Sequence, residues 1–178
     1  MKKMCFLFWL ALSGCTGIPD NITPVSDFEI RRYLGTWYEI ARLDHSFERG
    51  LSHVTATYRL REDGGIDVVN RGFDGESDKW KEAEGKAYFV GARDVGRLKV
   101  SFFGPFYGAY NIIALDKKEY RYSLVCGPNR SYLWILARDK ALEPETLERL
   151  VGMADNLGFE THKLIIVEHG DISADTPS

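Results

Sequence analysis

The chain has 178 residues, a length typical of one domain, and its charged and hydrophobic fractions of 28% and 44% are those of a globular protein. These values exclude a collagen-like, coiled-coil or wholly disordered chain. The net charge of −3 at pH 7 argues against a nucleic-acid partner, because binding to phosphates requires a basic surface. We therefore predict one folded domain that does not bind nucleic acid.

The first residues have the pattern of a secretory signal. Lys2 and Lys3 precede an apolar run from Met4 to Leu12. That run is too short for a transmembrane anchor, since a helix that crosses a bilayer needs about 20 apolar residues. The chain is therefore predicted to be exported.

The end of this signal carries a more specific pattern. The tetrad Leu12-Ser13-Gly14-Cys15 resembles the bacterial lipobox, in which the cysteine thiol is lipidated and cleavage leaves that cysteine as the new N-terminus. The resemblance implies a lipoprotein signal peptide over 1–14 and lipid attachment at Cys15, with a plain secretory signal as the alternative. Because Thr16, and not Asp, follows the cysteine, the resemblance also implies sorting to the outer membrane, on its periplasmic side.

Composition divides the rest of the chain into three parts. Residues 15–26 contain Pro19 and Pro24 and are predicted to be an extended, lipidated tether. The folded domain is predicted over 27–170, where Asp27 is expected to cap a short helical turn. The polar residues 171–178 are predicted to be a disordered tail.

Eight apolar, turn-bounded segments predict a β-rich domain. Short turns such as Asp63-Gly64-Gly65 and Gly127-Pro128-Asn129 join most of them, so sequential strands are expected to pair antiparallel. The long connection, around 44–51, is long enough to cover an opening. The predicted strands are Trp37–Leu43, His53–Arg61, Ile66–Phe73, Glu82–Val90, Arg97–Phe103, Tyr110–Asp116, Tyr120–Cys126 and Tyr132–Arg138.

One amphipathic helix follows the strands. Pro144 stands in its first turn, Gly158 ends it, and its apolar residues follow helical spacing on one face. A last short strand is predicted over 163–167. Because closure removes exposed sheet edges, the predicted fold is all-β: an eight-stranded antiparallel up-and-down β-barrel with one C-terminal α-helix packed outside. The interior of such a barrel is either filled by side chains or holds one small ligand.

Two motifs give the chain a family resemblance. Gly35-Thr36-Trp37-Tyr38, after a short helical turn, matches the lipocalin G-x-W motif, and Arg138 ends the last strand where lipocalins place an arginine. The middle T-D-Y motif is absent, and only Asp116 and Tyr120 remain of it. The chain therefore resembles the bacterial lipoprotein lipocalins.

The resemblance implies structural and functional roles. Gly35, Trp37 and Arg138 are expected to be structural, with the guanidinium packed over the indole at the closed end. The implied function is binding of a fatty acid, a lysophospholipid or another small lipophile. The membrane is the second expected partner, through the lipid anchor. The sequence leaves the alternative of a homodimer undecided.

Strand alternation assigns the predicted ligand-binding residues. Outward charged residues fix the inward set on most strands, whereas on the sixth strand Tyr110, Ile112 and Ala114 compete with Ile113 and Leu115. We take the Tyr110 set as inward. The predicted ligand-binding residues are Ala56, Tyr58, Val68, Ala87, Phe89, Val100, Phe102, Tyr110, Ile112, Ser123, Tyr132 and Trp134.

Catalytic signals are weak in this sequence. The four histidines form no recognised metal or catalytic motif, so we predict no enzyme, no cofactor and no metal site. Two alternatives remain open. One is a protein-interaction module that uses the rim around Phe103 to Tyr107; the other is a thiol-dependent lipid enzyme that uses Cys126.

Overall fold

The structure, a computed structural model, describes residues 16–170 of the chain. The predicted signal peptide over 1–14, the predicted lipid attachment at Cys15 and the predicted disordered tail over 171–178 lie outside these residues. Within them, neither helix is long and apolar enough to cross a membrane.

Nine strands and two helices make up the domain. The helices are α1 (Ile30–Tyr33) and α2 (Pro144–Asn156), and a single 3₁₀ turn covers Thr161–Lys163. The strands are β1 (Gly35–Arg42), β2 (Leu51–Leu60), β3 (Ile66–Asp74), β4 (Lys79–Phe89), β5 (Arg97–Phe103), β6 (Phe106–Leu115), β7 (Tyr122–Cys126), β8 (Leu133–Ala137) and β9 (Ile165–Ile166).

The first eight strands close into an antiparallel barrel. Sequential strands pair from β1 to β8, and β8 returns to β1, where Tyr38 lies opposite Ala137. The short β9 adds to the same strand beside Ala41 and Arg42. This arrangement confirms the predicted up-and-down barrel, because β1 to β8 form a closed ring in which each strand pairs with two neighbours.

Apolar side chains form two clusters, one on each side of the barrel wall. The inner cluster contains Trp37, Tyr58 and Leu98. The outer cluster contains Ile135 and joins the wall to α2 through Leu150 and Ala154, which are fully buried. The helix therefore covers the outside of the barrel and leaves the interior to the inward-facing residues of the strands.

The predicted alternation of inward and outward side chains on β6 is wrong beyond a β-bulge. Tyr110 and Ile112 belong to the inner cluster, as the sequence indicated, but Ala114 belongs to the outer cluster and Leu115 to the inner one. The register shifts between Ile112 and Ala114. Because a bulge inserts one extra residue, the side chains beyond it change faces.

The predicted cap of the first helical turn is wrong. The helix begins at Ile30, and Glu29 is its N-cap residue without a side-chain cap. The Asp27 carboxylate instead accepts hydrogen bonds from Ser26 and Lys117. Asp27 has a positive φ of 52°, a conformation in which it cannot start the helix.

The segment before the barrel is packed against it. The backbone of Val25 bonds with Ile112 O and with the Gly96 N–H, which fixes this segment beside β5 and β6. Ile22 is buried in the outer cluster, and Ile18 packs against it. Residues 16–26 are therefore part of the folded unit, whereas the sequence predicted that the fold starts at residue 27.

Candidate ligand-binding cavity

An apolar cavity occupies the half of the barrel that opens between the β1–β2 loop and the turns after β5 and β7. Its enclosed part measures about 90 Å³ and continues into a wide mouth of about 700 Å³. Ligand sites for small organic molecules measure about 300–1,000 Å³, so the mouth carries most of the usable volume. The residues that line both parts are Phe47, Glu48, Val54, Asn70, Val100, Phe102, Ala109 and Trp134.

Most of the residues that the sequence predicted for ligand binding line this cavity. Val100, Phe102 and Trp134 line both parts, and Tyr132 lines the mouth. The others lie around the enclosed part, and they are Ala56, Tyr58, Val68, Ala87 and Tyr110.

Three predicted residues lie outside the cavity lining. Phe89 packs against Phe28, with ring centroids 6.2 Å apart, and Ile112 is fully buried in the inner cluster. Ser123 is also fully buried, with Oγ 3.2 Å from the Tyr33 hydroxyl. These positions face inward as the alternation required, but side chains of the inner cluster fill the space between them and the cavity.

Three tyrosines form the floor of the cavity. The Tyr110 hydroxyl lies 2.8 Å from the hydroxyls of both Tyr33 and Tyr58. Burial raises the pKa of Tyr33 to about 12, and burial together with the neighbouring tyrosines raises the pKa values of Tyr58 and Tyr110. The floor is therefore uncharged at neutral pH and presents hydroxyl groups to a ligand.

This floor predicts an alkaline loss of stability. Unfolded tyrosines ionise near pH 10, whereas folded Tyr33 ionises near pH 12. The unfolded state therefore loses its protons first, and the stabilisation, complete below pH 10, is lost as the pH rises from about 10 to about 12. Tyr33 alone contributes about 3 kcal/mol to this loss.

Spectrophotometric titration is expected to show three of the nine tyrosines ionising late. A single transition near pH 10 in folded protein would contradict the prediction.

Below the tyrosine floor, Trp37 and Arg138 close the barrel. The guanidinium carbon of Arg138 lies 4.0 Å from the centre of the Trp37 ring, and its nitrogens donate to the carbonyls of Arg32, Leu34 and Thr36. The Trp37 indole N–H donates to Tyr33 O at 2.8 Å. Gly35 precedes this group with a φ of 93°, and a Cβ there would lie 3.4 Å from the guanidinium. These contacts join α1, β1 and the end of β8.

A buried polar cluster stands at one side of the cavity and was missed by sequence reasoning. Glu39 and Glu48 line the cavity; Glu39 Oε1 accepts a hydrogen bond of 2.7 Å from Arg42, and Glu48 Oε2 accepts one of 3.1 Å from Trp134. His45 Nε2 lies 3.0 Å from the same Glu48 oxygen. Arg42 also donates to the carbonyls of Glu48 and Leu51, so it holds the β1–β2 loop over the cavity.

The two carboxylates of this cluster differ in their pKa values. Burial and the charge of Glu48 raise the pKa of Glu39 well above its usual range, although Arg42 opposes this change. Burial also opposes ionisation of Glu48, but His45, the Trp134 N–H and Arg42 together lower the pKa of Glu48. The cluster therefore favours one ionised carboxylate beside Arg42, which limits the cost of burying charge next to an apolar cavity.

The thiol of Cys126 lies away from the cavity. Its side chain is fully buried in the outer cluster, beneath α2, and burial raises its pKa to about 12. A thiolate nucleophile at neutral pH is therefore strongly disfavoured, which counts against the thiol-enzyme alternative. Residues 16–170 contain no group of three or more His, Cys, Asp or Glu side chains that could hold a metal ion.

The antiparallel barrel is closed, with an apolar cavity at its open end and a Trp–Arg pair at its closed end. These features define a class of barrels that enclose small hydrophobic molecules. Comparison with known proteins agrees with this class. A family profile described as a lipocalin-like domain matches residues 28–169. The chain belongs to the lipocalin family, whose members bind small hydrophobic ligands.

Named relatives and solved structures support this assignment. The chain is 57% identical over 157 residues to the outer membrane lipoprotein Blc of Vibrio cholerae, an alignment that covers 88% of this chain and 92% of the relative. It is 55% identical over 150 residues to the outer membrane lipoprotein Blc of Escherichia coli K12, covering 84% of each. The structure of insecticyanin from Manduca sexta shares the fold, with a TM-score of 0.70 and 20% identity over 87% of this chain and 88% of the other.

Proposed function

We propose that this protein binds, stores or carries a single-chain lipid at a bacterial membrane, with no catalytic step. The ligands proposed are a fatty acid or a lysophospholipid. The observation that carries the proposal is the continuous cavity with a predominantly apolar lining, closed below by neutral tyrosines and open at the rim. An acyl chain matches such a lining because each buried CH₂ contributes about 0.8 kcal/mol.

The mouth of the cavity supports an amphiphile with an anionic group. The mouth is lined by the cations Arg71 and Lys81 and by the carboxylates Glu48 and Glu82, while the enclosed part is lined mainly by apolar side chains. Arg71 lies over the Trp80 ring, 4.1 Å from its centre, and Lys81 lies 2.6 Å from an oxygen of Asp74. The Arg71 guanidinium is held on Trp80, so Lys81, whose side chain is 60% exposed, is the cation that can meet a carboxylate or phosphate at the rim while the acyl chain enters the barrel.

Trp134 provides the test of binding in this cavity. Trp134→Ala removes a wall shared by both parts of the cavity and is expected to weaken the binding of a fluorescent fatty acid about tenfold, since a large apolar contact with the chain is lost. Trp134→Phe, which retains an aromatic wall, is expected to retain most of the affinity. Fluorescence titration measures both, and unchanged affinity in Trp134→Ala would remove this residue from the binding site.

The location proposed is the outer membrane, on the periplasmic side, through a lipid on Cys15. The lipobox resemblance and the name of the Vibrio and Escherichia relatives, outer membrane lipoprotein, support it. Stable attachment is expected because two or more acyl chains hold a protein on a bilayer.

Substitution of Cys15 tests the anchor. Cys15→Ala is expected to leave the precursor unprocessed by the lipoprotein route, because the thiol that receives the lipid is absent. Mass spectrometry of the purified chain shows whether lipid was added and whether residues 1–14 were removed. A normally processed, membrane-retained Cys15→Ala chain would contradict the anchor.

A further inference from the structure

The direct pairing between β1 and β2 stops halfway along the barrel wall. The last direct pair is Tyr38 opposite Thr55. Continued pairing would place Ile40 opposite His53, but the register of β2 shifts between Ser52 and Thr55, and His53 has a positive φ of 53°. The two strands therefore separate toward the mouth and leave a slot in the wall.

Residues 165–170, called the strap from here on, fill this slot. The Val167 N–H donates to Ile40 O at 3.0 Å, and the His53 N–H donates to Glu168 O at 2.8 Å. The strap therefore bonds with β1 along one edge and with β2 along the other, as an inserted strand would. Because neighbouring strands lie about 4.8 Å apart, the slot between β1 and β2 is about 9.6 Å wide.

Two histidine side chains fasten the end of the strap. His169 Nε2 lies 2.7 Å from Glu39 O of β1, and His53 Nε2 of β2 lies 2.9 Å from Gly170 O. The centres of the two imidazole rings are 6.0 Å apart. Each histidine therefore joins the strap to a different strand of the wall.

Apolar packing contributes little to the attachment of the strap. Of its residues only Val167 is buried, whereas Ile165 and Ile166 are 39% and 58% exposed. Segments with few buried apolar contacts open at the lowest free energy. The strap is therefore expected to separate from the wall more readily than any of the strands β1 to β8.

The inner side of the slot borders the enclosed part of the cavity. Glu39 of β1, together with Val54 and Thr55 of β2, stands beside the slot and lines this part. From the mouth, the enclosed part is reached past Phe47, on the loop that Arg42 holds over the cavity. The slot is therefore a second and more direct approach to the enclosed part.

We propose that the slot between β1 and β2 is the entrance for the acyl chain, and that the strap leaves the slot as a unit to open it. The proposal rests on the proposed function, because it concerns the route of the same ligand. Carbon atoms pack at about 3.5–4.0 Å, so a hydrocarbon chain between two walls needs about 8 Å, less than the width of the slot. The raised pKa of Glu39 keeps its carboxyl group uncharged beside this route.

A disulfide tests whether the strap has to move. Ala41 and Ile166 lie directly opposite each other, so Ala41→Cys with Ile166→Cys brings two thiols within disulfide range and fixes the strap to β1. The native Cys126 is fully buried and does not interfere. Stopped-flow fluorescence of the full chain with cis-parinaric acid measures the association and dissociation rates.

The oxidised variant is expected to bind and release the ligand at least about tenfold more slowly than the reduced variant. The dissociation constant is expected to stay the same, because a closed entrance raises the barrier in both directions and leaves the bound state unchanged. Equal rates in the two forms overturn the entrance, and saturable binding then leaves the proposed function intact. Failure of the disulfide to form in the folded chain also overturns it.

A second disulfide of the same kind provides the control. Val69 and Glu84 lie opposite each other on β3 and β4, on the outer face of the wall and away from the slot. Val69→Cys with Glu84→Cys is expected to leave both rates within about twofold of the parent. An equal slowing in this variant overturns the entrance, because it shows that any fixed wall slows binding.

Loosening the strap is expected to have the opposite effect. His169→Ala removes the hydrogen bond to Glu39 O, and the loss of one hydrogen bond corresponds to about fivefold faster association and dissociation through a more populated open state. His162→Ala, at an exposed histidine of the 3₁₀ turn, is expected to leave both rates unchanged.

Affinity separates an entrance from a direct effect on the ligand. An altered dissociation constant in His169→Ala, without matching changes in the two rates, overturns the entrance, because it shows that the substitution acts on the bound state. Thermal unfolding confirms that each variant is folded. No saturable binding by the parent overturns the proposed function and this inference together.

Discussion

Val100→Trp is expected to weaken fatty-acid binding at least about 100-fold while the barrel stays folded. Val100 lies on β5 and lines both the enclosed part of the cavity and its mouth. An indole at this position would occupy the path of the acyl chain. If four methylenes lose their buried position, at about 0.8 kcal/mol each, the dissociation constant rises by about two orders of magnitude.

The neighbouring residue on the same strand provides the control. Lys99 projects to the other face of the sheet, where its ammonium lies 4.7 Å from the centre of the Tyr107 ring. Lys99→Trp adds an indole to β5 outside the cavity and is expected to leave the affinity within about threefold of the parent. Calorimetric titration with oleate measures both variants. Equal loss in the two variants, or no loss in Val100→Trp, would place the ligand elsewhere.

Trp37→Ala is expected to lower the free energy of unfolding by about 3–5 kcal/mol. The Trp37 side chain is fully buried, its ring lies 4.5 Å from that of Tyr33, and it supports the guanidinium of Arg138. The substitution leaves a large void at the closed end and removes the ring on which the Arg138 guanidinium packs. The contacts between α1, β1 and β8 therefore weaken together.

Urea unfolding measures this loss against a substitution of the same type. Trp80 is 44% exposed and lies outside both apolar clusters, so Trp80→Ala is expected to cost about 1 kcal/mol or less. A loss below about 1 kcal/mol in Trp37→Ala would show that the closed end is not a principal source of stability.

The strand pattern of this barrel could be predicted because turns and alternation act locally. The predicted limits of β5, Arg97–Phe103, agree with the structure, since a Gly-containing turn precedes the strand and the charge of Lys99 fixes its faces. The prediction failed at Ala114, beyond a bulge. A bulge depends on the pairing with the next strand, and no single residue of β6 indicates it.

The buried polar cluster shows the same limit at the site. Glu39 could have been found, because it lies two residues after Trp37 and therefore faces inward with it. The position of Arg42 could not, since a register shift between Glu39 and Ala41 changes the alternation before it. Glu48 reaches the cavity from a loop, where no regular alternation of residues predicts which way a side chain points.

The tether was predicted from composition, and its contacts were not. Prolines at 19 and 24 indicated an extended segment, but the chain turns at Asp20 and Asn21, where the Ile22 N–H donates to Pro19 O at 3.2 Å. Its attachment depends on Asn111 and Arg130, which are distant in sequence and meet it only after the barrel closes. Long-range contacts of this kind leave no local pattern in the chain.

The location of a bound acyl chain tests the central claim most directly. We predict that nuclear Overhauser effects from ¹³C-labelled oleate, at one molecule per chain, will reach the methyl groups of Ala56, Val68 and Val100, which line the enclosed cavity. Saturating oleate that gives contacts only to outer-surface methyls such as those of Ile165 and Ile166, or none at all, would contradict a lipid-binding barrel.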